Sequence, residues 1–146
     1  MFQAADVLEL TGLTSHQLRR WSTRRALVPP DVKPSGRGRH ALYSWETVVV
    51  LRLLKELHDR FAVEICAWSK GMTELRRVLE GVPFPSLWGK AVHFERIDLP
   101  VLVSAREAEV LAGIVLPLDT HLSLLAMKLC LGEADRRKLY PALAVS

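Results

Sequence analysis

Two short amphipathic segments separated by a glycine-bearing turn constrain the N-terminal part of the chain more than any other feature. Apolar residues recur at helical spacing from Phe2 to Leu10 and again from Ser15 to Arg24. Between them, Gly12 permits a tight turn, and Thr14 or Ser15 can cap the second helix by accepting its free N–H groups. This arrangement predicts a helix-turn-helix, a motif whose second helix fits the DNA major groove.

The basic residues are concentrated in the same region. The 146 residues include 20 Lys and Arg against 16 Asp and Glu, a formal net charge of +4. Residues 63–146 are neutral overall, whereas residues 15–40 hold seven basic residues and one acid, Asp31. Clustered Lys and Arg attract phosphates and release counterions on contact, but a solvated basic face has the same composition. Charge alone therefore leaves both interpretations open.

A proline pair and a glycine-rich segment follow the second helix. Pro29 and Pro30 end helical structure. Residues from Lys33 to Tyr43 are predicted to form two short strands around a polar tip, because the glycines at the tip permit the positive φ angles of a hairpin turn. Ser44 then caps a long amphipathic helix that runs to about residue 60. The hairpin is a predicted wing whose tip presents arginines.

The second half of the chain is predicted to alternate short helices and strands. Helices over about residues 62–70 and 73–80 flank Gly71, and Gly81 ends the second of them. Three prolines within residues 81–100 exclude a long helix there. Strands are then predicted at residues 91–97, 101–103 and 114–118, and helices at about residues 104–112 and 119–131.

These elements predict a mainly α protein of the α+β class. Residues 1–80 would form a winged helix-turn-helix with a two-stranded wing, and residues 81–146 a small α+β module. Ser104 and Glu107 supply a capping box for one helix of that module. Trp88, His93 and Phe94 are either core residues of the module or the lining of a ligand pocket.

Taken together, the N-terminal elements resemble the DNA-binding domain of the MerR family over about residues 2–70. The family pattern is a helix-turn-helix, a Leu-Arg-aromatic-aromatic stretch, a hydrophobic–Pro exit, a basic Gly-rich wing and Tyr-Ser before a long helix. Its counterparts here are Thr11-Gly12-Leu13-Thr14, Leu18-Arg19-Arg20-Trp21, Leu27-Val28-Pro29-Pro30, Gly36-Arg37-Gly38-Arg39-His40 and Leu42-Tyr43-Ser44, with Val32-Lys33-Pro34 as the approach to the wing.

Three departures from the family pattern affect what the resemblance implies. Arg20 stands where an aromatic residue is common, and Arg25-Ala26 replaces a usual Gly-Leu after the second helix. Family members usually dimerise through a long helix after the DNA-binding domain, which the prolines of residues 81–100 exclude here. The resemblance thus implies DNA binding but leaves the mode of dimerisation open.

The resemblance also implies which residues contact double-stranded DNA. On the recognition helix, Gln can form two hydrogen bonds with adenine and Arg can do so with guanine. On the wing, arginines would reach phosphates or a narrow minor groove. Tyr43 resembles a family tyrosine that binds a phosphate, although it is equally suited to packing the wing on the core. The predicted DNA-binding residues are Ser15, His16, Gln17, Arg19, Arg20, Lys33, Arg37, Arg39, His40 and Tyr43.

Other function classes have little support in the sequence. Cys66 and Cys130 are far apart and lack a CxxC pattern, and the five His show no ligand spacing, so we expect neither a metal nor a cofactor. No phosphate-binding loop or catalytic constellation is present, so we expect no enzyme activity. Without a long apolar run or a signal peptide, the expected protein is cytoplasmic and has no membrane partner.

The sequence therefore predicts a transcription regulator that binds a two-fold-related DNA site as a homodimer, because one short recognition helix gives little specificity. The second module would dimerise or receive a signal, and residues 90–146 are a candidate surface for a protein partner. Two alternatives remain open. One is an antitoxin-type interaction factor with autoregulatory DNA binding, and the other is an excisionase-like architectural DNA binder.

Overall fold

The computed structural model describes residues 1–36 and 38–129, and it contains six α-helices and two small sheets within these ranges. The strands are β1 (Phe2–Gln3), β2 (Leu42–Tyr43), β3 (Lys90–Arg96), β4 (Leu99–Ser104) and β5 (Ile114–Pro117). The helices are α1 (Ala4–Thr11), α2 (Ser15–Arg19), α3 (Trp45–Phe61), α4 (Ser69–Glu80), α5 (Ala105–Ala108) and α6 (Asp119–Leu129). The predicted α+β organisation after an N-terminal helix-turn-helix is confirmed.

The turn of the helix-turn-helix is held by local hydrogen bonds that the sequence encodes. Gly12 ends α1 with a φ of 73°, a left-handed conformation that costs glycine little. The Thr14 side chain accepts the Gln17 N–H, and the Gln17 side chain accepts the Thr14 N–H, which is a complete capping box at the start of α2. The predicted cap is thus Thr14, and Gln17 completes it.

The second helix has the predicted span but not a uniform α geometry. After Arg19 it continues as one π-helical turn, Arg20–Arg24, which the Arg25 N–H closes onto the Arg20 carbonyl at 2.9 Å. Trp21 is buried in the core, and its carbonyl accepts the N–H groups of both Leu27 and Val28. The π-helical turn and these two hydrogen bonds therefore return the chain to the core after Arg25-Ala26, where the sequence departs from the family pattern.

The wing has less regular strand structure than predicted. We use the name wing for the loop between Val32 and Leu42, which pair with each other in one isolated antiparallel bridge. Leu42 and Tyr43 also pair with Phe2 and Gln3, which were predicted to begin the first helix and instead form β1. The predicted strand from Lys33 is thus reduced to a bridge at Val32, and Leu42–Tyr43 pairs on its other edge with β1.

The predicted helix break at Gly71 is wrong. A 3-10 turn, Ile65–Trp68, leads directly into α4, and Gly71 lies within that helix. A Cβ atom at Gly71 would lie 2.1 Å from the carbonyl oxygen of Ile97, in the turn between β3 and β4. The glycine is needed for close packing of that turn against α4, not to end a helix.

The second sheet is antiparallel with the order β4-β3-β5. In this register His93 lies between Val101 on one side and Val115 on the other. The predicted capping box of Ser104 and Glu107 is present, but α5 ends at Ala108 and not near residue 112 as predicted. The predicted end of the last helix near residue 131 lies outside the described residues.

Both halves of the chain contribute to one hydrophobic core. The buried residues of α3, such as Leu54, belong to the same cluster as Val92 and Phe94 of β3 and as Leu122 and Leu125 of α6. The division into domains at residues 80 and 81 stays a prediction. No helix in the described part of the chain is both long and apolar enough to cross a membrane.

Candidate nucleic-acid interface

The exposed face of α2 carries most of the predicted recognition residues. Leu18 and Trp21 are buried, so the opposite side of the helix faces solvent. His16 and Arg20, four positions apart, lie on that outward face, and Arg19 is exposed beside them. Ser15, the first residue of α2, is exposed as well. The structure therefore brings these four predicted residues together on one surface.

Gln17 differs from its predicted role. Its side-chain oxygen accepts the Thr14 N–H at 3.0 Å, and the residue is half-buried. Two-point recognition of adenine needs both the oxygen and the nitrogen of the amide, and the capping box already occupies the oxygen. In this conformation Gln17 holds the start of the recognition helix in place.

The wing places three further predicted residues at the surface. Lys33, Arg39 and His40 are exposed and line a groove between the wing and β1, where Gln3 also contributes. Arg37 lies outside the described residues, and its predicted DNA contact stays a prediction. Tyr43 is only 3% exposed, so the structure places it in the core beneath the wing and not among the surface candidates.

Ion pairing distinguishes this surface from the rest of the chain. Seven basic residues beyond position 50 form ion pairs with carboxylates, namely Lys55, Arg60, Lys70, Arg76, Arg77, Arg96 and Lys128. By contrast, no ion pair involves the six described basic residues between positions 19 and 39, which are Arg19, Arg20, Arg24, Arg25, Lys33 and Arg39. We call these six residues the basic surface.

Arg25, in the basic surface, has a neutral partner. Its guanidinium donates a hydrogen bond of 3.0 Å to the Cys66 thiol. This contact joins the end of the π-helical turn to the segment after α3. The positive charge of Arg25 is therefore retained, while its side chain is directed toward the body of the domain.

The one acid in the basic region is neutralised by a residue far along the chain. Asp31 accepts an ion-paired hydrogen bond of 2.6 Å from Arg76 of α4, and it also accepts the Ser44 N–H and the Thr47 hydroxyl. Burial raises the pKa of Asp31, but these hydrogen bonds together outweigh it and hold the pKa below its ordinary value. Sequence reasoning missed this cluster, because no local pattern links Asp31 to Arg76.

The three residues weighed as a ligand pocket in the second half do not form one. Phe94 packs edge-on against Trp68, and Trp88 packs against Phe84. His93 is hydrogen-bonded through Nε2 to the carbonyl of Ala112 and, as the neighbour of Phe94 in β3, faces the other side of the sheet. Among the described residues no group of three or more His, Cys, Asp or Glu could hold a metal ion.

These features are those of a helix-turn-helix domain with an exposed basic surface. Residues 2–66 match the family model of the MerR HTH family regulatory proteins. This match confirms the resemblance to the MerR family that is drawn from the motifs of the N-terminal part of the chain. No curated protein and no solved structure shows significant similarity to the chain.

Proposed function

We propose that the chain is a sequence-specific transcription regulator that binds double-stranded DNA with α2 in the major groove and the wing on the backbone or in the minor groove. The observation that carries this proposal is the basic surface. Its six cations have no carboxylate partner, although most cations elsewhere in the described chain have one. Cations that no carboxylate of the described residues neutralises keep their charge for contacts with phosphates.

Within this proposal, α2 supplies sequence recognition. His16 of α2 and Arg20, the first residue of the π-helical turn that follows it, are both exposed on this side, and an Arg side chain can form two hydrogen bonds with the guanine edge. Arg19, at the side of the same face, contacts either a base edge or a phosphate. Ser15 would donate its hydroxyl to the backbone near the helix start.

The wing supplies contacts that do not depend on sequence. Arg39 and Lys33 are long, exposed and unpaired, and they lie on the same loop as His40. Such residues bind phosphates, and arginine is also attracted to a narrow minor groove by its deeper negative potential. The wing would therefore fix the position of α2 on the duplex.

We further propose that two copies bind a two-fold-related site. The α-helical part of the recognition helix is only five residues long, Ser15–Arg19, so one copy reads few base pairs. Two copies related by two-fold symmetry would read two half-sites and gain specificity. In this role the protein binds DNA and does not catalyse a reaction.

Selection of bound sequences from a random pool of duplex DNA, combined with the mass of the complex in solution, tests the proposal. We expect an enriched sequence with two related half-sites, bound by a dimer, and an affinity that falls as the salt concentration rises. A full-length chain that binds no duplex at low salt would contradict the proposal. A stoichiometric protein partner bound through residues 90–146 would instead support the antitoxin-type alternative, and strong DNA bending the architectural one.

A further inference from the structure

We infer that Arg76 of α4, which lies outside the residues that match the MerR family, is a positioning residue that sets the orientation of the wing through Asp31. The inference rests on the proposed function, because it assigns Arg76 to the same DNA-binding site. It is supported by the hydrogen bonds at the base of the wing, by the lack of hydrogen bonds from the described wing residues before Ala41, and by the geometry of the Arg76 guanidinium.

The two ends of the wing are joined at its base. The Leu42 carbonyl accepts the N–H groups of Asp31 and Val32, at 2.9 and 3.1 Å, and the Val32 carbonyl accepts the Leu42 N–H at 3.0 Å. The Asp31 carboxylate also accepts the Ser44 N–H at 2.6 Å, just after the wing returns to the domain. Asp31, just before the wing, is therefore hydrogen-bonded to the chain at the end of the wing.

Beyond this base the wing has few restraints. Among its described residues 33–36 and 38–40, none forms a hydrogen bond or an ion pair with another described part of the chain, whereas Ala41 packs against the core. A loop held only at its two ends takes its direction from those ends. The contacts of Asp31, together with the Val32–Leu42 bridge, therefore influence where Arg39 and Lys33 point.

Arg76 holds Asp31 and its neighbours with one planar group. Its Nη2 donates to Asp31 at 2.6 Å and to the Ser44 hydroxyl at 3.2 Å, and its Nε donates to the Thr47 hydroxyl at 2.9 Å. The Arg76 and Asp31 side chains are 23% and 14% exposed, so solvent screens this pair less than a surface pair. A lysine ammonium would keep the charge but could not reproduce the flat geometry of these three bonds.

The position of Arg76 is in turn linked to the α+β module. Arg76 belongs to the helix that packs against the β3–β4 turn at Gly71, where the helix and the Ile97 carbonyl come close together. The wing is therefore attached through α4 to the half of the chain that the family match does not cover. A change of position in that half would reach the DNA-binding site by this route.

Three variants of the full chain test the inference. Arg76→Gln removes the guanidinium, and Arg76→Lys keeps the charge without the three bonds. Arg77→Gln removes the same charge from a neighbour whose ion pair in the described part of the chain is with Glu74. We expect both Arg76 variants to weaken DNA binding by roughly three- to tenfold and to lower the salt dependence by about one phosphate contact, with Arg77→Gln near the wild type. In an Arg39→Ala background, Arg76→Lys should weaken DNA binding much less than it does in the wild type, because the Arg39 contact that a misdirected wing would lose is already absent.

Hydrogen exchange in the free protein separates this inference from the proposed function. The amides of Asp31, Val32, Leu42 and Ser44 should exchange faster in Arg76→Lys than in Arg77→Gln, while global unfolding stays cooperative. Unchanged exchange of these amides overturns the inference whether or not DNA binds. Wild-type binding by Arg76→Lys also overturns it, because the charge alone would then suffice. A wild-type chain that binds no DNA overturns the proposed function, and the exchange rates still decide whether Arg76 positions the wing.

Discussion

Arg52 of α3 donates a hydrogen bond of 2.9 Å from Nε to Nδ1 of His121 on α6. The same guanidinium donates to the carbonyl of Leu10 in the last turn of α1, and Nε2 of His121 lies 3.2 Å from a Glu56 oxygen. Because Nδ1 accepts a hydrogen bond, Nε2 carries the ring proton. Nε2 therefore donates a hydrogen bond to the Glu56 carboxylate. The last described helix is thus joined through polar contacts to the first helix of the helix-turn-helix.

Loss of His121 should destabilise the whole protein. His121 is 7% exposed, and His121→Ala would leave Arg52 Nε without its acceptor and would open a space beside α3. We expect a loss of about 1–3 kcal/mol in the free energy of unfolding, measured by urea titration. Thr120→Ala, at an exposed neighbour on the same helix, should change it by less than about 0.5 kcal/mol. Equal stability of the two variants would mean that this junction does not stabilise the fold.

Gly71→Ala should be among the most damaging small substitutions in the chain. The added methyl group would lie 2.1 Å from the Ile97 carbonyl oxygen, which is backbone and cannot move aside without shifting the β3–β4 turn. We expect a loss of about 1–3 kcal/mol, measured as a lower midpoint of thermal or urea unfolding. Gly81→Ala is the matched control, since its nearest atom would be 3.8 Å away. A Gly71→Ala protein as stable as Gly81→Ala would refute the close packing of α4 on this turn.

The protein should lose stability in acid because two carboxylates have low pKa values in the folded state. The hydrogen bond from His121 lowers the pKa of Glu56 below its ordinary value of 4.5, and hydrogen bonds outweigh burial to lower the pKa of Asp31 below 3.8. Between the ordinary and the folded pKa the unfolded chain binds more protons, so stability falls as the pH falls. The loss should begin near pH 4.5 and continue as the pH passes through the folded pKa values.

Urea unfolding at several pH values measures this effect. Glu56→Gln and Asp31→Asn should each be less stable than the wild type near neutral pH and should each flatten the acid dependence. A neutral substitution at Glu95, an exposed acid on β3, should leave the slope nearly unchanged. An acid dependence that is the same in all three variants would exclude these two carboxylates as its source.

Arg39→Ala should weaken binding to every DNA sequence by a similar factor. Arg39 is exposed on the wing and has no ion-pair partner, so its loss removes a phosphate contact and not a base contact. The slope of log affinity against log salt should become shallower by about one. Arg106→Ala removes the same charge from α5, away from the basic surface, and should leave the slope as it is. Identical slopes for both variants would show that the wing does not touch the backbone.

Substitutions on α2 should separate base recognition from helix capping. Arg20→Ala should relax the preference at one position of the selected site, at a cost of about 1–3 kcal/mol against the preferred base. Gln17→Glu keeps a capping-box residue three positions after Thr14 and should retain both stability and preference. Gln17→Ala should lower stability without changing the preferred sequence. A changed preference in Gln17→Glu would mean that Gln17 leaves the capping box and reads a base.

Much of the N-terminal domain could be predicted because its signals are local. Gly12 and Thr14 determine the turn through their own backbone and side-chain preferences, and Ser44 caps α3 in the same way. The exposed face of α2 follows from the spacing of Leu18 and Trp21. For these features the interacting groups are no more than four residues apart, so the sequence pattern contains the whole interaction.

The errors concern residues whose role depends on distant partners. Gly71 was predicted as a helix break, since the sequence does not show that Ile97 approaches it. For Tyr43, core packing and a phosphate contact were both open, and the structure shows that the residue is buried. Asp31 was counted only as a charge, because its partner Arg76 is 45 positions away.

The sequence by itself determined the class of the domain, the caps of its helices and the concentration of positive charge between residues 15 and 40. Only the tertiary structure decided which of those charges stay free, because ion pairing depends on which carboxylates come within a few ångströms after folding. It placed Asp31 against Arg76 and left Arg20 and Arg39 without acidic partners among residues 1–36 and 38–129. The residues of the basic surface are thus among the basic residues that have no carboxylate partner in the described part of the chain.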